Sequence, residues 1–313
     1  MWAYVARRVF AVVPVLMVVA LVVFLMLRLT PGDPAAVIGG DSATSADIAQ
    51  IRENLGLDKP MATQFFIWVG RMLTGDFGES FFYKRPVASI IADRIEPTLA
   101  LAISTITLAT LLAVPMGTLA AYRQGSWVDR IVMAFSVASF SVPVFVTGYC
   151  LIWLFSVKLG WLPVQGYQSI SQGFGGFIAR LVLPTLALGT IYIALIARMT
   201  RTSVLEVLNE DYVRTARAKG LPELKVVLSH ALRNAAVPIV TIIGVGIALL
   251  IGGVVVTESV FNIPGLGRLT VDAVLARDYP TVQAVIMLFS VAYVLVNLVI
   301  DLLYTVLDPR IRY

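Results

Sequence analysis

Hydrophobic positions along most of this chain are run together rather than interleaved with polar ones. Six uncharged stretches stand out: Val9–Leu27, Thr98–Tyr122, Ile131–Val157, Leu181–Ala197, Asn234–Thr257 and Tyr279–Ile300. Each approaches the roughly 20 residues a helix needs to cross a hydrocarbon core. The shortest, Leu181–Ala197, is flanked by Arg180 and Arg198, whose long stems can reach the interface. The pattern predicts an all-α integral membrane protein with six transmembrane helices over 9–28, 98–122, 131–157, 181–198, 235–257 and 279–306.

Between the fourth and fifth runs the pattern changes character. Arg198 to Asn234 carries two short helical patterns, Glu206–Lys219 and Glu223–Arg233, and seven Lys or Arg residues. A soluble, basic segment inside so apolar a chain reads as a docking platform for a cytoplasmic partner. The competing reading is a segment lying on the anionic inner leaflet. Gly220 suits the C-cap of a short rod, Lys219 complements its negative end, and Thr215, Ala216 and Ala218 leave room for a partner's groove. The second piece, Glu223–Arg233, reads as a connector into the fifth span.

Two further amphipathic patterns lie between the first and second runs. Ser45 is placed to cap a helix carrying Ile48, Ile51 and Leu55 on one face and ending at Gly56. Pro60 opens a second, with Phe65, Trp68, Val69 and Met72 on one side. They predict an ordered first loop, either capping the bundle or lying on the membrane surface. The Gly-rich stretches Leu159–Gly176 and Asn262–Gly267 read as turns or short re-entrant pieces.

Charge sets the orientation. Arg7 and Arg8, Arg123 and Arg130, the platform, and Arg310 and Arg312 all fall on one side of a six-span chain, and the excess of basic residues makes that side cytoplasmic. Residues 1–8, 123–130, 199–234 and 307–313 are then cytoplasmic; 29–97, 158–180 and 258–278 face outward. Composition agrees with a bilayer as solvent: 58% hydrophobic, 14% charged, mean hydropathy +0.87, against about a quarter charged in soluble domains. The pI near 9.4 reflects this topology and no nucleic-acid partner, since the basic residues are split between faces. Val9–Leu27 lacks a cleavage pattern after it and reads as a retained first helix.

Five runs carry proline beyond their first two residues: Pro14, Pro115, Pro143, Pro184 and Pro238. They predict kinked helices able to splay around a pathway. Gly244, Ala248 and Gly252 recur every four residues, a stripe for close helix packing within this chain or against a second subunit. Ser136, Ser139, Ser141, Thr147 and Asn297 are candidates to line a translocation path, with bonding back to their own helices as the alternative.

Catalytic and metal constellations are missing from the sequence. One histidine, His230, and one cysteine, Cys150, allow no His-rich metal cluster and no intrachain disulfide. No GxxxxGK[ST] phosphate loop occurs, so the chain has no nucleotide motor of that kind and no cofactor is expected to bind it.

The run DYVRTARAKGL from Asp211 to Leu221, followed by HALRNAAVP from His230 to Pro238, resembles the cytoplasmic loop of binding-protein-dependent ABC importer permeases, and more narrowly the dipeptide, oligopeptide and nickel branch. ARRVF, TPGDP, LGLDKP, GDFGES, FNIPGLGRL and DLLYTVLDPRIR support the likeness in order along the chain, and the first-loop motifs resemble the first of two permease subunits. In the register where the general importer motif has Glu-Ala-Ala and a later Gly, this chain reads Arg214, Thr215, Ala216 and Gly220, so only Ala216 and Gly220 match. The resemblance implies a type I ABC importer permease fold of the MetI-like kind in a bacterial inner membrane. It implies a homologous second permease, two cytoplasmic ATPase subunits that bind the ATP, and a periplasmic solute-binding protein. It also implies that Asp211, Tyr212, Arg214, Ala216, Lys219 and Gly220 couple to an ATPase. Peptides are the implied substrate, with nickel chelates, glutathione or sugars as alternatives; from another class, a self-sufficient carrier or channel remains open.

Overall fold

The computed structural model describes residues 2–29, 35, 44–54 and 57–307. The readings placed on Thr30–Pro34, Leu55, Gly56, Arg310 and Arg312 lie outside them. Among the described residues the structure is helical, with one isolated antiparallel bridge between Glu79 and Pro86. The helices are α1 (Trp2–Leu29), α2 (Ser45–Asn54), α3 (Met61–Leu73), α4 (Val87–Tyr122), α5 (Trp127–Ser141), α6 (Val144–Leu151, continuing as a π-helix over Ile152–Lys158), α7 (Phe174–Leu208), α8 (Asp211–Ala218), α9 (Glu223–Lys225), a π-helix over Val226–Ala231, α10 (Leu232–Asn234), α11 (Ala236–Val260), α12 (Leu266–Leu275) and α13 (Tyr279–Leu307).

Four of these, α4, α7, α11 and α13, are long and apolar enough to cross a membrane, and α5 with α6 makes a fifth if the bent pair is one span. The apolar stretch Phe10–Met26 lies inside α1. The third expected span, 131–157, is not one rod: the chain bends by 103° between its halves. Pro143 is the cause. It forces Val142 out of the helical region, to φ −99° and ψ 120°, so α5 stops and α6 restarts with Pro143 as its N-cap. Pro14, Pro97, Pro115 and Pro184 sit inside helices. Pro238 is the third residue of α11, where its missing N–H has no helical acceptor to lose.

Two units are distinguished by their internal packing. The first comprises Ile95–Arg268 and the chain from Leu295. Its centre is α7, which packs on α5, α6 and α11 through Leu183, Leu188, Tyr192 and Ile196. Hydrophobic transfer contributes little to such contacts in lipid, so close fit has to hold them. At Gly117 of α4, an added Cβ would lie 2.4 Å from the Ala197 carbonyl oxygen of α7. At Gly244 of α11 it would lie 2.2 Å from Cδ1 of Ile300 in α13. Glu96, near the start of this unit, accepts hydrogen bonds from Ser169 Oγ (2.8 Å), Tyr167 OH (2.9 Å) and the Ile170 N–H (3.1 Å), which hold its carboxyl below the usual range.

The second unit comprises Trp2–Arg94 and Leu269–Val294. Phe24 of α1 meets Phe65 edge-on at 5.4 Å and Trp68 at 5.9 Å, which seats α3 on α1. No residue of α3 is fully buried, and Phe66 and Leu73 are exposed. Ser45 is the first residue of α2, and the carbonyl of Thr44 takes the Ile48 N–H. Asp278, fully buried, accepts from Ser80 Oγ, the Phe81 N–H (3.0 Å) and Thr281 Oγ1 (2.7 Å), tying the GDFGES stretch to the start of α13.

Candidate coupling site

Helix α7 runs well beyond the expected fourth span, carrying Arg198 and Arg201 on its last turns. Asn209 closes it, with its amide on the Leu205 carbonyl at 3.0 Å. Glu210 then turns extended, with ψ 146°, so the single pattern expected over Glu206–Lys219 is two helices. Asp211 opens α8 with a negative charge in the first turn, where the helix dipole favours it.

Val213 and Ala216, three residues apart, are the buried positions of α8. They join one cluster with Ala121 of α4, Val204 and Leu208 of α7, Val226, Val227 and Ala231 of the π-helix, Ala235, and Ile239 of α11. The segment after α8 is therefore more than a connector; it forms the seat on which the rod rests. Its first residues close a recess of about 360 Å³ with Pro115, Thr118 and Tyr122 of α4 on one side and Leu224 and Leu228 on the other.

The end of α8 is a complete Schellman motif. The Gly220 N–H bonds the Arg217 carbonyl at 2.9 Å and the Leu221 N–H bonds the Ala216 carbonyl at 3.3 Å, with Gly220 at φ +78°. Leu221 packs on the same cluster as Ala216. Arg217 then forks onto Glu223, with Nη2 to Oε1 at 2.7 Å. At the other end, the Asn234 amide donates to the His230 carbonyl at 2.7 Å, and the Tyr212 hydroxyl is pushed up mainly by partial burial.

Of the residues expected to couple, Asp211, Tyr212, Arg214, Lys219 and Gly220 lie on the exposed face of the rod. Ala216 does not. Its small side chain faces inward, where it lets α8 settle close to the cluster rather than leaving space for a partner. Thr215 and Ala218 supply the small exposed positions.

The residues expected along a path are not gathered. Ser136 is buried and bonds Val132 and Ala194 carbonyls at 2.9 and 3.4 Å, fixing α5 against α7. Ser141 bonds back to the Val137 carbonyl at 3.0 Å, and Ser139 is buried on the same helix. Thr147 lies beyond the bend and Asn297 on α13, both half-buried. In the stripe, Gly244 packs within this chain on Ile300, Ala248 is half-buried, and Gly252 has nothing within 4 Å of a Cβ position.

One ion pair was not anticipated. Asp129, in the expected loop 123–130, is buried and accepts from Arg201 Nε, from Arg201 Nη2 at 2.8 Å and from the Gly125 N–H at 2.9 Å. Those donors, Arg201 first, hold its carboxyl below the usual range and raise the guanidinium. The available signal was a lone carboxylate in a loop otherwise basic. Among the described residues no group of three or more His, Cys, Asp or Glu is arranged to hold a metal.

Residues 113–313 match the family described as "Binding-protein-dependent transport system inner membrane component", and residues 1–102 match its N-terminal companion. The chain is 52% identical, over all of both chains, to a probable peptide ABC transporter permease protein, y4tP, of Sinorhizobium fredii. It is 46% identical, over 99% of each chain, to the glutathione transport system permease protein GsiC of Escherichia coli K12 and of Salmonella typhi. The inward-facing MetNI methionine ABC transporter matches over 70% of this chain and 96% of its own, with TM-score 0.57 and 18% identity, a likeness of fold. That fold is the type I ABC importer permease fold, helical and multi-pass. The chain belongs to the family of inner-membrane permease components of binding-protein-dependent transport systems.

Proposed function

We propose that this permease subunit carries short peptides, glutathione among the candidates, across the inner membrane, with its energy supplied by separate ATPase subunits that seat on α8. The relatives named for peptide and glutathione transport support the substrate class. The observation that carries the mechanism is the cluster under the rod: side chains of α4, α7, α8 and α11 share it, so a pull on α8 reaches three spans together. Interiors packed in this way shift between discrete arrangements and do not bend smoothly. In this reading α8 lies in the cytoplasm with both termini, a homologous second permease completes the path, two ATPases supply the stroke, and a binding protein delivers substrate outside.

Proteoliposomes test the reading. The chain with its second permease, ATPases and binding protein is expected to accumulate radiolabelled tripeptide or glutathione only with ATP and the binding protein present. Uptake by this chain alone, without ATP, would establish the self-sufficient carrier instead.

A further inference from the structure

At the opposite end of α11 from the coupling cluster, the structure holds a buried carboxylate that the transport reading does not use. Glu258 is fully buried in the last turn of α11. Its Oε1 accepts from Thr98 Oγ1 of α4 at 2.6 Å, and its Oε2 accepts from the Arg268 N–H at 2.8 Å. Thr98 Oγ1 in turn accepts the Leu266 N–H at 2.7 Å. Two of the free N–H groups that open α12 are therefore capped by side chains from two other helices. The carboxylate also sits where the dipole of α12 favours negative charge.

The stretch FNIPGLGRL, Phe261 to Leu269, is shaped around that carboxylate. A Cβ on Gly265 would lie 2.0 Å from Oε1. One on Gly267 would lie 2.8 Å from Cα of Val255 and 3.0 Å from Oε2. The Ile263 N–H closes the loop on the Glu258 carbonyl at 2.8 Å, and the Phe261 carbonyl takes the Gly166 N–H at 2.8 Å. Gly265 is required for the close approach of the carboxylate, and Gly267 first for that of the α11 backbone at Val255, with the carboxylate next; neither serves a turn.

The same two helices are held at both ends. Helix α4 contributes Thr98 to this cluster and Ala121 to the coupling cluster, about 35 Å apart at 1.5 Å per residue; α11 contributes Glu258 and Ile239. We propose that Glu258 is a positioning residue of the importer: through Thr98 it latches the loop Phe261–Leu269 to α4 and α11, so that the loop moves with the helices that α8 drives. The proposal rests on the permease reading above and adds to it the link between the coupling rod and the outer loop.

The test uses the assembled complex with Glu258→Gln, Thr98→Val and the conservative Thr98→Ser. Five readouts are taken: co-purification of the ATPases, basal ATPase activity, ATPase stimulation by the binding protein, uptake of radiolabelled tripeptide or glutathione, and hydrogen exchange at the Leu266 and Arg268 amides. With the latch, E258Q and T98V assemble and keep basal activity, but stimulation and uptake fall about tenfold, the scale of one lost charge-assisted hydrogen bond. T98S behaves as the unaltered chain. Hydrogen exchange at the Leu266 and Arg268 amides rises in E258Q and T98V only. Unchanged stimulation in T98V and E258Q overturns the latch, and so does loss of assembly in both, which would make the cluster scaffold only. Absence of stimulation in the unaltered complex strikes the permease reading instead.

Discussion

The Arg217 guanidinium closes on the Glu223 carboxylate in a forked pair, Nη2 to Oε1 at 2.7 Å and Nε to both oxygens at 3.2 Å, and so fastens the last turn of α8 to the first residue of α9. Both side chains keep more than a third of their surface exposed, so the pair contributes at most about 1 kcal/mol. Its value is geometric: it fixes the angle at which α8 leaves its seat. R217E is expected to lower ATPase co-purification several-fold, and R217E/E223R to restore most of it. A double variant as weak as the single one would show that the pair does not set that angle.

Gly220→Ala isolates the backbone requirement of the rod's end. Nothing lies within 4 Å of a Cβ there, yet φ is +78°, so the cost is conformational and about 1 kcal/mol. Asn tolerates that region better than Ala. Hydrogen exchange at the Gly220 and Leu221 amides should rise in G220A and rise less in G220N.

Gly117→Ala makes the opposite case, a normal backbone with no room. The added methyl meets the Ala197 carbonyl at 2.4 Å and Thr200 Cβ at 2.7 Å, so α4 and α7 must part, at about 1–3 kcal/mol. A lowered melting temperature of the detergent-purified complex is the expected result. An unshifted one would mean that the two helices are not in contact.

The Asp129–Arg201 pair gives a pH signature with a definite sign. The carboxyl is held below its ordinary value by Arg201 and the Gly125 N–H, so the stabilisation is present above the unfolded carboxylate pKa and is lost as pH falls through the lower folded one. Removing the charge in D129N leaves a largely buried guanidinium with a weaker partner, a loss of about 1–3 kcal/mol. The difference in melting temperature between D129N and the unaltered chain should stay constant from about pH 5 to 8 and shrink below about pH 4. A difference that changes between pH 6 and 8 would assign the dependence to another group.

Much of the fold was legible because membrane spans are written as uncharged runs, and α4, α11 and α13 are each built around such a run. Helix α7 was read short because Arg180, Arg198 and Arg201 interrupt hydropathy without interrupting the helix. Pro143 was visible, but whether it kinks a helix or ends one depends on Val142, which gives no local signal. At the rod, exposed positions and the glycine stop could be read from period and composition. The inward turn of Ala216 could not, because its burial depends on Val226 and Ala231, which belong to the next segment. Asp129, Glu258 and Asp278 were passed over for a related reason: each lies at the edge of an apolar run, and its partners are distant in sequence or in backbone N–H groups.

Site-directed cross-linking shows directly whether an ATPase subunit seats on α8. The chain has a single cysteine, Cys150, so C150S provides a blank background. Into it A218C or T215C places one thiol on the exposed face of α8. A photoactivatable maleimide attached to that thiol is expected to give an adduct to an ATPase subunit on illumination, with a yield that differs between nucleotide-free and ATP-bound complex. A thiol at residue 218 that reacts freely with small maleimides, forms no adduct with the ATPase in either state, and sits in a complex with intact uptake would contradict it.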